Sequence, residues 1–422
     1  MKILVATPTP PDTQPTNSVP LVVYAQLRGL AARHEVTLVT ADDAPEPESD
    51  AISRLRHLGV DVHIARPQPD ERRRRWERRR RLARLWLCGR YPFRTVWYWE
   101  PELQRLIDRL LSERHFDIVT AEDNAMGVYR YGAAQPTVLT EMEVRRPRPI
   151  DWRAILRHRR RATVFNEIDW QRWRWYQPHV WRRFDCVQVF TARDVEAIQR
   201  IDPSLAGRVR VNPFGIEMPP AADPRSEQDD SLVFVGGFSH WPNVDAALWL
   251  AQSIMPQLRA RRSGVRLVLV GSYPPPEIQA LASEDVIVTG YVPSVESFLE
   301  RAAVVLAPVR VGGGMRMKVL QAMALGKAVI TTPLGAEGLT LAGERPPLVM
   351  ADADEGIVEA AAGLLAGREQ REALGRAARA FVDRHFSVQA YARRLEAIYG
   401  EVIETHRQVE RRRGSRARVW SG

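Results

Sequence analysis

Lysine is nearly missing from this chain. Among 422 residues it occurs only at Lys2, Lys318 and Lys327, although Lys and Arg together number 61 and the formal net charge is +10. Cysteine is scarcer still: Cys88 and Cys186 lie far apart and at no metal-ligand spacing. This excludes a disulfide framework and a cysteine zinc site, fits a reducing cytoplasm, and leaves each thiol as a small buried hydrophobe. No apolar run reaches the roughly 18–20 residues that span a bilayer. The short apolar opening, Met1–Thr7, passes straight into a proline-rich loop, so no signal peptide is expected. Neither a GxGxxG fingerprint nor a GxxxxGK(S/T) phosphate loop occurs, which argues against a dehydrogenase or a P-loop NTPase.

What is present is a repeated α/β pattern. The apolar fraction, 45%, is that of a folded globular protein, and the length is too great for one core, so two domains are expected. Short β-branched runs recur, each followed by a helical pattern: "KILVAT" (Lys2–Thr7), "EVTLVT" (Glu35–Thr40), "VDVHIA" (Val60–Ala65), "FDIVTA" (Phe116–Ala121), "PTVLT" (Pro136–Thr140), "DCVQVFT" (Asp185–Thr191) and "RVRVN" (Arg208–Asn212). They are apolar throughout, as parallel strands covered on both faces require. "MPPAADPRSEQDD" (Met218–Asp230) reads as a linker, and the pattern then restarts with "LVFVGG", "VRLVLVG", "VIVTG", "AVVLAP", "AVITT" and "PLVM". The expected architecture is two doubly wound Rossmann-like domains facing across a cleft, over residues 1–217 and 232–386 with a linker at 218–231. An amphipathic helical segment at 387–407, returning to the first domain, and a loose basic tail at 408–422 complete the chain.

Arginine and tryptophan interleave in "ERRRRWERRRRLARLW" (Glu71–Trp86) and across Arg145–Phe184. That mixture suits an anionic membrane surface or a phosphate-rich ligand. It also suits nucleic acid, but no nucleic-acid motif accompanies it; solvated helix faces with stray aromatics are the plainer alternative.

The most informative stretch is "RVGGGMRMKVLQAMALGKAVITTP" (Arg310–Pro333). Three glycines follow a strand and precede a helix expected from about Arg316 to Leu325, closed by Gly326. Free amides at a helix start carry roughly half a positive charge, and glycine lets an anion approach them. Arg316 and Lys318 add full charges in the same turn, so a phosphate or diphosphate is the guest that fits; two solvated cations on a glycine-rich turn are the alternative. Gln321, three residues after Lys318, shares its face and suits ribose hydroxyls.

From Leu232 to Leu339 these motifs resemble, almost continuously, the donor-binding domain of the GT-B retaining glycosyltransferases, family 4 in particular. "LTEMEV", "RRFDCVQVFTARD" and "RVNPFGIE" in the first half are similar to the acceptor domain more loosely. The resemblance implies transfer of a sugar from a nucleotide-sugar to a hydroxyl with retention of configuration, and no metal or cofactor beyond that co-substrate. Arg316 and Lys318 would stabilise the leaving diphosphate. Gly236, Gly237 and Asn243 in "GGFSHWPN", the backbone at Tyr291 and Val292, and Gly312, Gly313, Gly314 and Met315 would line the donor site. Many members carry two glutamates seven residues apart where this chain has Gly313 and Gln321. Glu337 in "GAEGL" is the substitute sugar contact, or else a helix-start acid. The family histidine after the fourth strand is missing, leaving Glu122 and Asp123 to orient the acceptor hydroxyl, or Asp123 to cap a helix. "PTNSVP" replaces the glycine pair after the first strand, so Asn17 and Ser18 would meet the diphosphate or acceptor. "DAD" (Asp352–Asp354) imitates a metal motif but reads as a helix cap and first-turn acid. The acceptor would be a lipid-linked envelope glycan, with peripheral contact at the inner membrane face, or a small natural-product intermediate. A non-hydrolysing sugar-nucleotide epimerase and a non-catalytic binder of anionic membranes or nucleic acid are the competing functions.

Overall fold

The computed structural model describes residues 1–12, 18–42, 50–66, 76, 79–87, 89, 91–146, 150 and 161–419. The chain forms two compact units: Met1–Asn212 together with Tyr391–Gly422, and Pro213–Ala390. Each is built on one all-parallel sheet.

In the first unit the strands are β1 (Lys2–Thr7), β2 (Glu35–Ala41), β3 (Asp61–Ala65), β4 (Ile118–Glu122), β5 (Thr137–Thr140), β6 (Cys186–Val189) and β7 (Val209–Val211). Their order is β3-β2-β1-β4-β5-β6-β7. Every residue of β4, β5 and β6 is buried, which is why these runs are apolar without alternation. The order reverses between β1 and β4, and ligands of open α/β sheets bind at the carboxyl ends of strands beside such a reversal. The helix Val388–Val419 packs on this unit through the fully buried Tyr391 and Tyr399. Both phenols bond Gln26 of the helix Ser18–Ala31, at 3.3 Å each. The tail expected to be loose from Gln408 is instead the continuation of this helix, through Val419.

Among the described residues several of the interleaved arginines and tryptophans are internal packing, while Trp76 and Trp175 are 57% and 68% exposed. Trp173 and Trp181 are 0% exposed. Trp86 stacks on Phe165 at 4.8 Å, with the Arg172 guanidinium 4.0 Å from its ring, and Arg145 lies 4.6 Å from Trp173. Guanidinium–indole stacks explain the alternation of the two residue types without any lipid. Residues 71–75, 77–78, 147–149 and 151–160 of these segments lie outside the described residues, as does Cys88. Cys186 is buried and free, its thiol pushed up to about 12 by burial. No helix among the described residues is long and apolar enough to cross a membrane.

In the second unit β8 (Ser231–Val235), β9 (Arg266–Val270), β10 (Val286–Val288), β11 (Val304–Ala307), β12 (Ala328–Thr331) and β13 (Val349–Met350) take the order β10-β9-β8-β11-β12-β13. The reversal here falls between β8 and β11. Glu227, in the stretch read as a linker, is fixed to this unit: it accepts from the buried Lys327 at 2.9 Å and the buried Arg371 at 2.7 Å. Asp354 opens the helix Asp354–Ala366 as a first-turn acid and accepts from the Trp249 indole at 2.7 Å; the cap position is Ala353, not Asp352.

Candidate active site

The strongest constellation lies at the β8/β11 reversal of the second unit. The tri-glycine loop leaves β11 and enters the helix Met317–Ala324, with Arg316 at its N-cap and no side chain capping it. Gly312 and Gly314 have φ of +104° and +76°, where a side chain is strained, so these two glycines are dictated by the backbone. Gly313 has no such φ, and a Cβ there would meet nothing within 4 Å. Its missing carboxylate is therefore not a demand of the loop. At the other end Gly326, φ +79°, closes the helix as expected: its N–H bonds Met323 O and that of Lys327 bonds Ala322 O.

Lys318 projects from the first turn toward the glycine pair after β8. Its ammonium donates to Asn243 Oδ1 at 2.6 Å and sits 4.3 Å from the centre of the Phe234 ring. The amide of Asn243 donates in turn to Gly237 O at 2.7 Å. A Cβ on Gly236 would stand 2.7 Å from Asn243 Cγ and 2.8 Å from Lys318 Nζ, so glycine is what lets the lysine reach this place. Burial, and then the neighbouring Arg316, bring the Lys318 ammonium down to about 7. Arg316 itself folds back to donate to Gly313 O. Arg310 anchors the start of the loop, making two bonds to Asp245 at 3.1 and 2.8 Å and stacking 4.4 Å from the Trp249 ring. Two cations, first-turn amides and a glycine floor thus meet at one strand-end reversal, an arrangement suited to a polyanion.

The other residues expected here are more spread out. Met315 is buried in the loop, and Gln321 is half-buried one turn along the helix. Glu337 lies in a turn after β12 where no helix starts, which removes its reading as a helix-start acid. That turn is held to the strand ends by Thr332, whose hydroxyl meets Val309 O at 2.5 Å and Gly335 N at 3.0 Å. Tyr291, 78% exposed, and Val292 follow β10, two strands from β8 in the sheet order. Phe234 and Asp245 were not singled out from sequence; the first reads as strand core and the second as a solvated helix acid.

The β1/β4 reversal of the first unit carries carboxylates. Glu122 and Asp123 are both 0% exposed. Glu122 accepts from Gln26 Nε2 at 2.6 Å, and burial raises its carboxyl above the usual range. Asp123 stands at φ +88°, a strained conformation for a residue with a side chain. One of its oxygens accepts from Ala125 N at 2.8 Å, capping the short 3₁₀ turn Asn124–Val128; the other meets Arg94 Nη2 at 2.5 Å. Burial raises its carboxyl too, against the opposing pull of Arg94. The capping role considered for Asp123 is thus present, and Arg94, one-third exposed, is the group of this pair that meets solvent. Nearby Glu141, pushed up to about 8 by burial, accepts from Trp181 Nε1 and Asn124 Nδ2, each at 2.8 Å. Sequence gave no signal for Arg94, one arginine among many and 29 residues from its partner. Asn17 lies outside the described residues, and of Ser18 only the backbone, which opens the helix Ser18–Ala31, is described. Among the described residues no group of three or more His, Cys, Asp or Glu is placed to hold a metal ion.

A family model for glycosyl transferases group 1 matches residues 229–367. These run from the start of β8 to the end of the helix Asp354–Ala366, and so contain the whole glycine and cation cluster. No curated protein sequence matches the chain. Among solved structures, it is similar to sucrose-phosphate synthase from Thermosynechococcus elongatus, with TM-score 0.64 and 16% identity over 96% of this chain and all of that one. Similar too is HepE of Anabaena, solved with UDP and glucose, with TM-score 0.59 and 13% identity over 94% of this chain and 98% of that one. TarM gives TM-score 0.65 at 9% identity, over 94% and 99% of the two chains. Residues 229–367 match the glycosyl transferases group 1 family, and the chain as a whole has the GT-B fold of these solved structures.

Proposed function

We propose that the chain transfers a sugar from a nucleotide-sugar to a hydroxyl-bearing acceptor with retention of configuration. The observation that carries this is the meeting of Lys318, Asn243, Gly236 and the tri-glycine helix start at the β8/β11 reversal. The donor's diphosphate lies across the first-turn amides of the helix Met317–Ala324, with Lys318 and Arg316 as counter-charges. When the bond from the anomeric carbon to the diphosphate breaks, negative charge grows on the departing oxygen. Groups already fixed around it stabilise that charge with little reorganisation. The acceptor hydroxyl attacks the same face of the sugar, and its proton passes to the leaving diphosphate.

Gln321 supplies an amide to the ribose. The carbonyls and amides near Tyr291 meet the base, and Glu337 takes the sugar contact that Gly313 lacks. On the acceptor side Asp123 works through Arg94, since both of its oxygens already have protein partners. The nucleotide-bound state of HepE, which shares the fold, makes UDP-sugars the first donors to try. The test is a thermal-shift screen of UDP-, GDP- and dTDP-sugars. A ligand that binds the native state raises its midpoint, and Lys318→Ala should abolish the rise. A full set of nucleotide-sugars without effect on the wild type would refute the proposal.

A further inference from the structure

The first unit has a groove that the donor chemistry does not use. It encloses about 660 Å³, within the range of small-ligand sites, and is lined by the helices Arg161–Trp181 and Ala192–Ile201 together with Arg146. Arg182 sits four residues before β6 opens, and Arg200 lies in the last turn of the helix that follows β6. That part of the groove therefore belongs to the amino end of the strands, opposite to the end where Asp123 stands.

The spacing on the long helix explains what the groove presents. Trp173, Tyr176, Gln177, Val180 and Trp181 are buried, an i, i+3, i+4, i+7, i+8 stripe that seats the helix on the sheet. Arg174, Trp175, Pro178 and Arg182 are left facing outward along the groove. Arg182 pairs with Asp202 at 2.7 Å and Arg200 with Glu196 at 2.9 Å, whereas Arg146 and Arg174 have no carboxylate partner among the described residues. Between these cations Trp175 is 68% exposed, although its neighbours Trp173 and Tyr176 are core. Pro178 has no N–H, so the carbonyl of Arg174 lacks the donor it would ordinarily have four residues on.

We propose that this groove binds an acidic saccharide. The Trp175 indole takes the C–H face of a sugar ring, Arg146 and Arg174 pair with its carboxylate, sulfate or phosphate groups, and the Arg174 carbonyl accepts from a ring hydroxyl. Guanidinium matches planar anions through paired N–H bonds, and an indole offers a rigid apolar plate with little entropy to lose. A bare phosphate would use the arginines but neither the indole nor the carbonyl. A bilayer would want a flat or convex apolar face, and this site is concave with one exposed indole. The proposal concerns another unit than the donor site and stands or falls apart from it.

The test is calorimetry on the full chain at physiological salt. The probes are a pentamer of galacturonate, a heparin-derived pentasaccharide, the neutral maltopentaose, inorganic pyrophosphate, and vesicles of phosphatidylcholine with phosphatidylglycerol. At least one acidic pentamer should bind at one site per chain, about tenfold or more tighter than maltopentaose. Trp175→Ala, and separately Arg146→Ser with Arg174→Ser, should each weaken it about tenfold, leaving the melting midpoint and nucleotide-sugar shift unchanged. Four outcomes overturn the proposal: no acidic pentamer binds; binding persists in both variants; pyrophosphate binds as tightly and ignores Trp175→Ala; or only vesicles bind in a Trp175-dependent way.

Discussion

The two units share one topology and use the same place in it for opposite ends. In each, the strand order reverses once, between β1 and β4 in the first and between β8 and β11 in the second. At the second reversal Gly236 removes the Cβ that would crowd Lys318, and a half-buried cation is left beside a helix start that no side chain caps. At the first, the charged groups are carboxylates, and they are sealed: Glu122 behind Gln26, Asp123 between its own turn and Arg94. A strand-end crevice thus does not determine what binds in it. The residues just beyond the strand decide whether the crevice offers charge to a ligand or spends it on the protein itself.

This contrast is open to breakage, most severely at Lys318. If the donor's diphosphate lies as proposed, Lys318→Ala removes a charged hydrogen bond to it, typically about 1.5–3 kcal/mol. Sugar transfer measured with saturating acceptor should therefore fall roughly 10- to 150-fold, with the melting midpoint nearly unchanged. The next effect is on pH. Lys318 titrates near 7 in the fold against an ordinary value of 10.5, so the folded chain sheds its proton in a window where the unfolded chain keeps it. This group therefore makes folding more favourable as pH rises from about 7 to 10.5, while nucleotide-sugar affinity falls as pH rises through 7. Calorimetry in two buffers of different ionisation heat, at pH 8, should show proton uptake on binding in the wild type and none in Lys318→Ala.

Glycine substitutions sharpen the comparison at smaller scale. Gly314→Ala places a side chain at positive φ and should cost about 1–2 kcal/mol in denaturant unfolding. Gly313→Glu meets open space without that strain and should stay within about 0.5 kcal/mol of the wild type. Smallest of all is Glu122→Gln, whose amide oxygen can still accept from Gln26. Donor affinity should not move, and a tenfold loss would place Glu122 in the site after all.

Much of the fold was legible because buried parallel strands leave uninterrupted apolar runs, which marked the thirteen strands found among the described residues. The donor-side cluster was legible for a related reason: glycine, helix start and cation lie within nine residues, from Val311 to Val319. What could not be read was chemistry assembled from distant segments. Arg94 reaches Asp123 across 29 residues, and Phe234 under Lys318 looks like any strand residue. The arginine–tryptophan segments misled for the opposite reason. Their composition suits a surface, but helical spacing turns Trp173 and Trp181 inward, and the Arg145 guanidinium stacks against Trp173 there.

The most direct test of the central claim is calorimetric titration of nucleotide-sugars, UDP-glucose first, into the wild type and Lys318→Ala side by side. Saturable binding in the wild type, weakened about tenfold or more in the variant at unchanged melting midpoint, is the expected result. Equal affinity in the two proteins would contradict it, because the diphosphate would then lie somewhere other than on the lysine that the glycines of the second unit make room for.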